Sequence, residues 1–403
     1  MRGSILIQIW SVYLLVQFIA LSSSVGAQRL MSKKDFICRF PFRVLEGGVV
    51  ILKASIDNHP DSLTFILDTG NGGISLDSTT VSNLGLSVQT SDRILRGIGS
   101  MKKLSYAYDR TLNFPGLSTE HLDFHINDYE LLTGANGLKI DGIVGYSLLK
   151  RYIVHIDFDN QLLEFYRKGK VKYPNSGVFI KRTVLGIPII NAGIEDENKC
   201  NANFYFDTGA GLCLLMSDKF EKDSSIFKKD KKVIYTQAEG IGKQKMRLTT
   251  VKKVRIGHYT FKKVPTHTFF DENNVTNYPS TGGLIGNDIL RRFNIILNYG
   301  DSIIHLNPND HFFDPFDYSY TGLSLYAING KVIVDEVMEE SPSSKSGFML
   351  GDIIVAINNN FSGNIQAYKS IIQLVNTKAK IIVNRGGELL TLYLPVESIL
   401  KKN

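Results

Sequence analysis

The tripeptide Asp-Thr-Gly occurs twice, each time at the end of an apolar run. The two segments are Phe65-Ile66-Leu67-Asp68-Thr69-Gly70 and Phe204-Tyr205-Phe206-Asp207-Thr208-Gly209. A chain of this length would hold such a tripeptide by chance about 0.1 times at average residue usage. Two copies, 139 residues apart, restrict the fold to two versions of one unit, each with a carboxylate at the same point.

Other segments repeat at nearly the same offset. Gly97-Ile98-Gly99 matches Gly240-Ile241-Gly242. The run Ile143-Val144-Gly145 before Tyr146 to Tyr152 matches Leu284-Ile285-Gly286 before Asn287 to Phe293. A strand pair follows in each copy, turning at Asp159-Asn160 in the first and at Gly300-Asp301 in the second. The leading strands break at Gly47-Gly48 and at Gly186. Self-similarity in fixed order across some 130 residues is the mark of a duplication.

The paired motif has a chemical reason. Two carboxylates about 3 Å apart cannot both ionise, so they share one proton. One can act as general base on a trapped water while the other, protonated, donates to a carbonyl oxygen. Neither a metal nor a covalent intermediate is needed. Gly70 and Gly209 allow a sharp turn and close approach, and the Thr69 and Thr208 hydroxyls can hydrogen-bond across a two-fold axis. Two ordinary Asp-capped turns are the plain alternative, but they would not explain the other repeats.

These residues resemble a family. Each half is similar to a retropepsin-type subunit of the clan AA aspartic proteases. Such a subunit has an apolar strand ending in Asp-Thr-Gly, a Gly-rich flap, and an apolar-apolar-Gly step before a short helix. Three motifs occur in that order twice, across roughly residues 40 to 310. Two halves in one chain resemble the pepsin arrangement. The resemblance implies an aspartic endopeptidase with Asp68 and Asp207 catalytic, supported by Thr69, Gly70, Thr208 and Gly209. It implies flaps at Gly97, Ile98, Gly99 and at Gly240, Ile241, Gly242 that cover a peptide or protein substrate. The flaps lack the tyrosine of pepsins and are more like the retroviral type. Where pepsins often carry Ser or Thr after the motif, this chain has Asn71 and Ala210, followed by Gly72 and Gly211.

Beyond residue 312 the repeat stops. Gly322-Leu323-Ser324-Leu325, the strand Lys331 to Val337, the turn Gly347 to Asp352, the strand Ile353 to Ile357 and a helical pattern over Ile365 to Val375 resemble a PDZ domain. That resemblance implies a carboxylate-binding loop at Gly322, Leu323, Ser324 and Leu325, with a C-terminal peptide adding as a strand. Ser324 departs from the usual second glycine. A packing module without ligand is the alternative. The whole pattern is similar to bacterial secreted aspartyl proteases carrying a PDZ domain.

At the start of the chain, Arg2 precedes an apolar run from Ile5 to Leu21, and Ser22 to Ala27 offers small residues for cleavage before Gln28. This reads as an export signal, implying a periplasmic or extracellular protein. An uncleaved membrane anchor is the alternative.

The expected organisation is a signal peptide at 1–27, one lobe at 28–172, a second at 173–312 and a PDZ domain at 313–403. The fold class is mainly β: two tandem lobes of six to eight strands forming a pepsin-like pseudo-dimer, plus a small β-rich domain. Helices are expected at Ser147 to Tyr152, Asp288 to Phe293 and Ile365 to Val375. Net charge is +7, but its densest run, Lys228 to Lys232, reads as a solvated loop and not as a nucleic-acid patch. Eight histidines and three cysteines show no metal-ligand spacing, so no metal or other cofactor is expected. His155 and His305 fall in strands and read as structural. Cys200 and Cys213 flank Asp207, as a disulfide or as core thiols. Both aspartates come from one chain, so a monomer suffices for the chemistry. A catalytically weak peptide-binding scaffold on the same fold is the competing function.

Overall fold

The computed structural model describes residues 34–97, 100–180, 183–184, 186–239, 243–271, 276, 280–316 and 321–399. The expected signal peptide and the flap tips Ile98, Gly99, Gly240, Ile241 and Gly242 lie outside them. The described chain is mainly β, with two tandem lobes and a smaller third unit.

The first half opens with β1 (Phe36–Pro41), β2 (Arg43–Val44), β3 (Val50–Ile56), β4 (Leu63–Leu67) and β5 (Ile74–Asp77). The helix Ser78–Asn83 leads to β6 (Gln89–Gly97), β7 (Ser100–Phe114) and β8 (Leu117–Asn127). The helix Glu130–Asn136, β9 (Gly142–Val144), the helix Tyr146–Leu149, β10 (Ile153–Asp157) and β11 (Leu162–Tyr166) complete it. The second half repeats the plan. It runs through β12 (Val178–Ile180), β13 (Thr183–Val184), β14 (Ile187–Glu195), β15 (Lys199–Asp207), β16 (Leu214–Ser217) and the helix Asp218–Ser224. Then come β17 (Ile234–Glu239), β18 (Lys243–Ile256), β19 (Tyr259–Phe269) and β20 (Gly283–Gly286). The helix Asn287–Leu290, β21 (Phe293–Asn298) and β22 (Ile303–Pro308) close it.

Each lobe is an eight-stranded sheet, in the order β2-β3-β4-β9-β5-β8-β7-β6 and β13-β14-β15-β20-β16-β19-β18-β17. An extra pairing in each, β3 with β7 and β14 with β18, closes six strands into a barrel. In the first lobe the long β7 reaches both its hairpin and β3 by bulging against β8 near Ala107 and Arg110, with Asp109 at positive φ. Strand β4 is buried along its whole length because β3 and β9 flank it and both faces are covered.

A third sheet ties the lobes together, in the order β1-β11-β10-β21-β22-β12. Its centre is the antiparallel pair β10–β21, one strand from each half, with Ile153 opposite Asn298. The pseudo-two-fold axis passes there. Val154, Ile156, Leu163 and Phe165 meet Ile295, Leu297, Ile304 and Leu306 in one continuous apolar core that runs through both lobes. His155 and His305 both lie in this sheet, bonded to Glu164 Oε2 at 3.0 Å and to the Ser176 carbonyl at 2.8 Å.

The third unit is an antiparallel sheet in the order β23 (Leu323–Ile328), β24 (Lys331–Val337), β25 (Ile353–Ile357), β26 (Thr377–Arg385), β27 (Glu388–Val396). It has its own core, built on residues such as Leu325, Val334, Tyr368 and Ile381. Asp352 and Arg385 brace it as a two-point ion pair, at 2.7 and 2.8 Å. Ahead of it, the buried Arg292 donates to the carbonyls of Asp314 at 2.5 Å and Pro315 at 3.0 Å, fastening the junction to the second lobe.

The helices are shorter than expected. Tyr146–Leu149 and Asn287–Leu290 stop early because Phe293, and Ile153 in the other copy, are taken into the shared sheet. The third ends at Ile371, since Leu374 and Val375 stay exposed and Asn376 adopts φ +64° before β26.

Candidate active site

Parallel pairing brings the two Asp-Thr-Gly turns together. In the first lobe β4 runs parallel to β9, and the Asp68 N–H donates to the Val144 carbonyl at 2.9 Å. In the second, β15 runs parallel to β20, with Asp207 opposite Gly286. The apolar-apolar-Gly step is a consequence. A Cβ on Gly145 would lie 2.3 Å from the Asn71 carbonyl oxygen, and one on Gly286 would lie 2.2 Å from that of Leu212. Only glycine lets the motif loop cross so closely over the neighbouring strand.

The turns interlock across the axis. Thr69 Oγ1 donates to the Phe206 carbonyl at 2.8 Å and accepts the Thr208 N–H at 3.0 Å. Reciprocally, Thr208 Oγ1 donates to the Leu67 carbonyl at 3.1 Å and accepts the Thr69 N–H at 3.1 Å. Both threonines are fully buried, so these four bonds satisfy hydroxyl and N–H groups that would otherwise be orphaned. The motif glycines complete the fit. A Cβ on Gly70 would lie 2.6 Å from Asp207 Cγ, and one on Gly209 would lie 2.4 Å from Asp68 Cγ. Each carboxyl therefore sits against the glycine of the opposite lobe.

The carboxyls hydrogen-bond to each other, half-buried and ringed by protein. Asp68 accepts the Gly70 N–H at 2.7 Å, and Asp207 accepts the Gly209 and Ala210 N–H groups at 2.9 and 3.0 Å. Burial first, then the charge of Asp207 beside it, holds the Asp68 carboxyl well above the usual range. Burial raises Asp207 too, against the opposing pull of the Asp68 proton and the two N–H donors. Both carboxyls are thus biased toward their protonated forms, Asp68 by burial and by the charge beside it, Asp207 by burial. Asn71 does not stand in for the absent hydroxyl through its oxygen: Oδ1 accepts the Gly73 N–H at 2.9 Å.

Several further residues near the two carboxyls are absent from the sequence reading of the site. Tyr299 and Tyr146 pack edge-to-face, 5.2 Å between ring centres, and burial pushes the Tyr299 hydroxyl far above its ordinary value in the field of Asp68. The Tyr129 hydroxyl meets Ser75 Oγ at 2.6 Å, and burial pushes it up to about 12. His125 in β8 and His267 in β19 occupy matching places in the two lobes. Burial lowers each to about 4, so both are neutral imidazoles near the motif loops. Their matched spacing was the signal available.

Of the residues expected to form flaps, Gly97 is described and pairs with Ser100 in the β6–β7 hairpin; in the second lobe β17 pairs with β18 up to Glu239 opposite Lys243. Gly322, Leu323, Ser324 and Leu325 lie apart from the dyad, at the start of β23. Gly322 takes φ +70° and accepts the Met338 N–H at 2.8 Å, while the Leu323 N–H is bonded to Thr321 Oγ1 at 3.3 Å. Cys200 and Cys213 form no disulfide; Cys213 Sγ donates to Asp288 Oδ2 at 3.0 Å. Among the described residues no cluster of His, Cys, Asp and Glu has the makings of a metal site, and no helix is long and apolar enough to cross a membrane.

No curated protein matches this sequence. Residues 52–148, from β3 through the Asp-Thr-Gly turn to the helix after Gly145, match the family model described as aspartyl protease.

Proposed function

We propose that the protein is an aspartic endopeptidase whose dyad is Asp68 and Asp207. The observation that carries this reading is the reciprocal bonding of Thr69 and Thr208, which holds the two half-buried carboxyls in hydrogen-bond contact. The ionised Asp207 takes a proton from a water lying between the carboxyls as that water attacks the scissile carbonyl carbon. Asp68 gives its proton to the carbonyl oxygen, forming a neutral tetrahedral diol. Collapse breaks the C–N bond: the proton on Asp207 passes to the leaving amine, and a diol hydroxyl returns its proton to Asp68. The hairpins carrying Gly97, Ile98, Gly99 and Gly240, Ile241, Gly242 would close over an extended peptide or protein segment and exclude water. One chain supplies both carboxyls, so the working unit is a monomer and no cofactor takes part. The segment 1–27 suits an export signal to the periplasm or beyond, and the third unit suits a PDZ domain that selects substrates by their C-termini.

The test is cleavage of an unstructured protein and of short peptides, with and without a transition-state-mimicking diol or statine inhibitor. Inhibition, and loss of cleavage in Asp68→Asn and Asp207→Asn with the fold kept, are expected. Undiminished cleavage in either variant would overturn the dyad.

A further inference from the structure

In the third unit an extended peptide would add along the outer edge of β23, beside the helix Ile365–Ile371. That place is taken. The helix Glu130–Asn136 of the first lobe lies against it. Tyr326 Oη donates to the Glu130 carbonyl at 3.0 Å. The helix ends in a left-handed Gly137, and its exposed end carbonyls are met from the other unit. Lys369 Nζ reaches the Ala135 carbonyl at 2.6 Å, and Gln366 Nε2 reaches that of Asn136 at 2.9 Å. The Gln366 oxygen also accepts the Glu46 N–H at 3.0 Å, and Ser370 Oγ donates to the Glu46 carboxylate.

Two glycines make the fit possible. A Cβ on Gly134 would lie 2.0 Å from the Tyr326 ring, and one on Gly137 would lie 2.1 Å from Ile365 Cγ2. The same unit grips the second hairpin at its base. Met338 and Ile399 pack on Leu248, with Ile234 against them, and Thr236 Oγ1 donates to Glu336 Oε2 at 3.1 Å. Between these contacts a cavity of about 280 Å³ joins Leu323, Ser324 and Ile372 to Gly211, Leu212 and His267 of the second lobe. The carboxylate end of the groove therefore opens toward the catalytic loops, while the rest is filled.

We propose that the segment Glu130–Gly137 is the resident ligand of this groove, and that the third unit thereby latches the second hairpin to the first lobe. A peptide with a free C-terminal carboxylate competes with the segment and releases the latch. Only the identity of that competitor rests on the C-terminal-peptide reading above. A competitor must displace a tethered segment, so its apparent affinity is reduced by the fraction of molecules in which the groove is free.

The experiment is amide hydrogen exchange on the full chain. Gly134→Ala favours the helix itself while driving a methyl into Tyr326. Exchange should rise tenfold or more in β23 and β17, with β27 at the far edge unchanged. Gln366→Ala with Lys369→Ala, which removes the two donors without a clash, should do the same and stands in if the first variant fails to fold. Unchanged exchange in both elements overturns the latch. A hexapeptide ending in valine, as free acid and as amide, supplies the second arm. The acid should raise exchange at Glu130–Gly137. If acid and amide act alike while the variants loosen both elements, the latch stands and C-terminal capture falls. If the acid binds and exchange at Glu130–Gly137 stays put, the segment is not the resident ligand and the proposal fails.

Discussion

The two lobes share a backbone plan but stabilise it with different chemistry. In both, the strand before the first helix donates a hydrogen bond to the residue that precedes the apolar-Gly step: the Asp77 N–H donates to the Asp141 carbonyl at 2.8 Å, the Ser217 N–H to that of Gly282 at 3.1 Å. Behind those bonds the first lobe buries charge. Asp141 accepts the Thr64 N–H and the Thr80 hydroxyl at 2.8 and 2.7 Å, and Asp77 caps the helix, accepts the Tyr129 N–H at 3.0 Å and pairs with Lys139. The second lobe has Ser217 as cap and two aromatic rings, Phe204 and Phe220, 5.6 Å apart, where a Cβ on Gly282 would not fit. At the Asp-Thr-Gly turns, by contrast, the lobes agree side chain for side chain, down to the bonds that each threonine makes. A duplicated fold is free to drift where one copy serves itself. It stays alike where the two copies must meet across the axis.

The largest expected effect probes that agreement. Asp68→Asn and Asp207→Asn should each lower kcat/KM on a peptide by about 10²–10⁴-fold, the usual worth of a positioned acid or base. Losses differing by more than a factor of ten would mean that the lobes are not equivalent partners. Stability should move the other way. The dyad binds a proton in the folded state at pH values where the unfolded chain has released it, so stability falls as pH rises above the ordinary carboxyl range. Denaturant titrations across that range should show the fall in the parent and a flatter profile in Asp68→Asn.

Next in size is the threonine lock. Thr69→Val and Thr208→Val each lose one donated bond and leave a buried N–H without its acceptor, a cost of about 2–4 kcal/mol. Equal values by urea unfolding would confirm two-fold equivalence. A value near zero for either would show that the lock is lopsided.

A smaller effect separates the lobes. Burial would raise Asp77, but Lys139 and the N–H groups of Tyr129 and Thr80 hold it below the usual range. Its contribution is therefore present above the ordinary carboxyl pKa and is lost as pH falls through the lowered one. Acid should loosen the first lobe before the second, read by exchange in β5 against β16, and Asp77→Asn should remove that difference.

The smallest effect concerns Ala210. Its N–H already donates to Asp207, and its side chain adds no donor. The activity profile should be a bell centred at mildly acidic pH and persisting toward neutrality. A hydroxyl from Ala210→Ser, reaching the ionised carboxylate, should move the alkaline limb down by about half a pH unit. An optimum in strong acid for the parent would refute this reading.

The duplication was legible because its signals are local: an apolar strand, a turn that demands glycine, a hairpin. It located the second lobe, which lies beyond the family match at residues 52–148. The shared six-stranded sheet was harder to see, since β1 is paired with a strand more than a hundred residues away and no short-range pattern marks it. The network of buried Asp77 and Asp141 with Lys139 has no local signature, because burial of charge is visible only once its partners are in place.

By itself the sequence determined that two Asp-bearing turns exist, that each stands on an apolar strand, and that a different unit follows them. These follow from residue type and spacing. Tertiary structure alone decided which oxygen each threonine reaches, that the two carboxyls meet in a desolvated site that raises both, and that Gly134 lies under Tyr326. Those outcomes depend on groups brought together from distant parts of the chain, where desolvation and close packing, and not local propensity, set the energy.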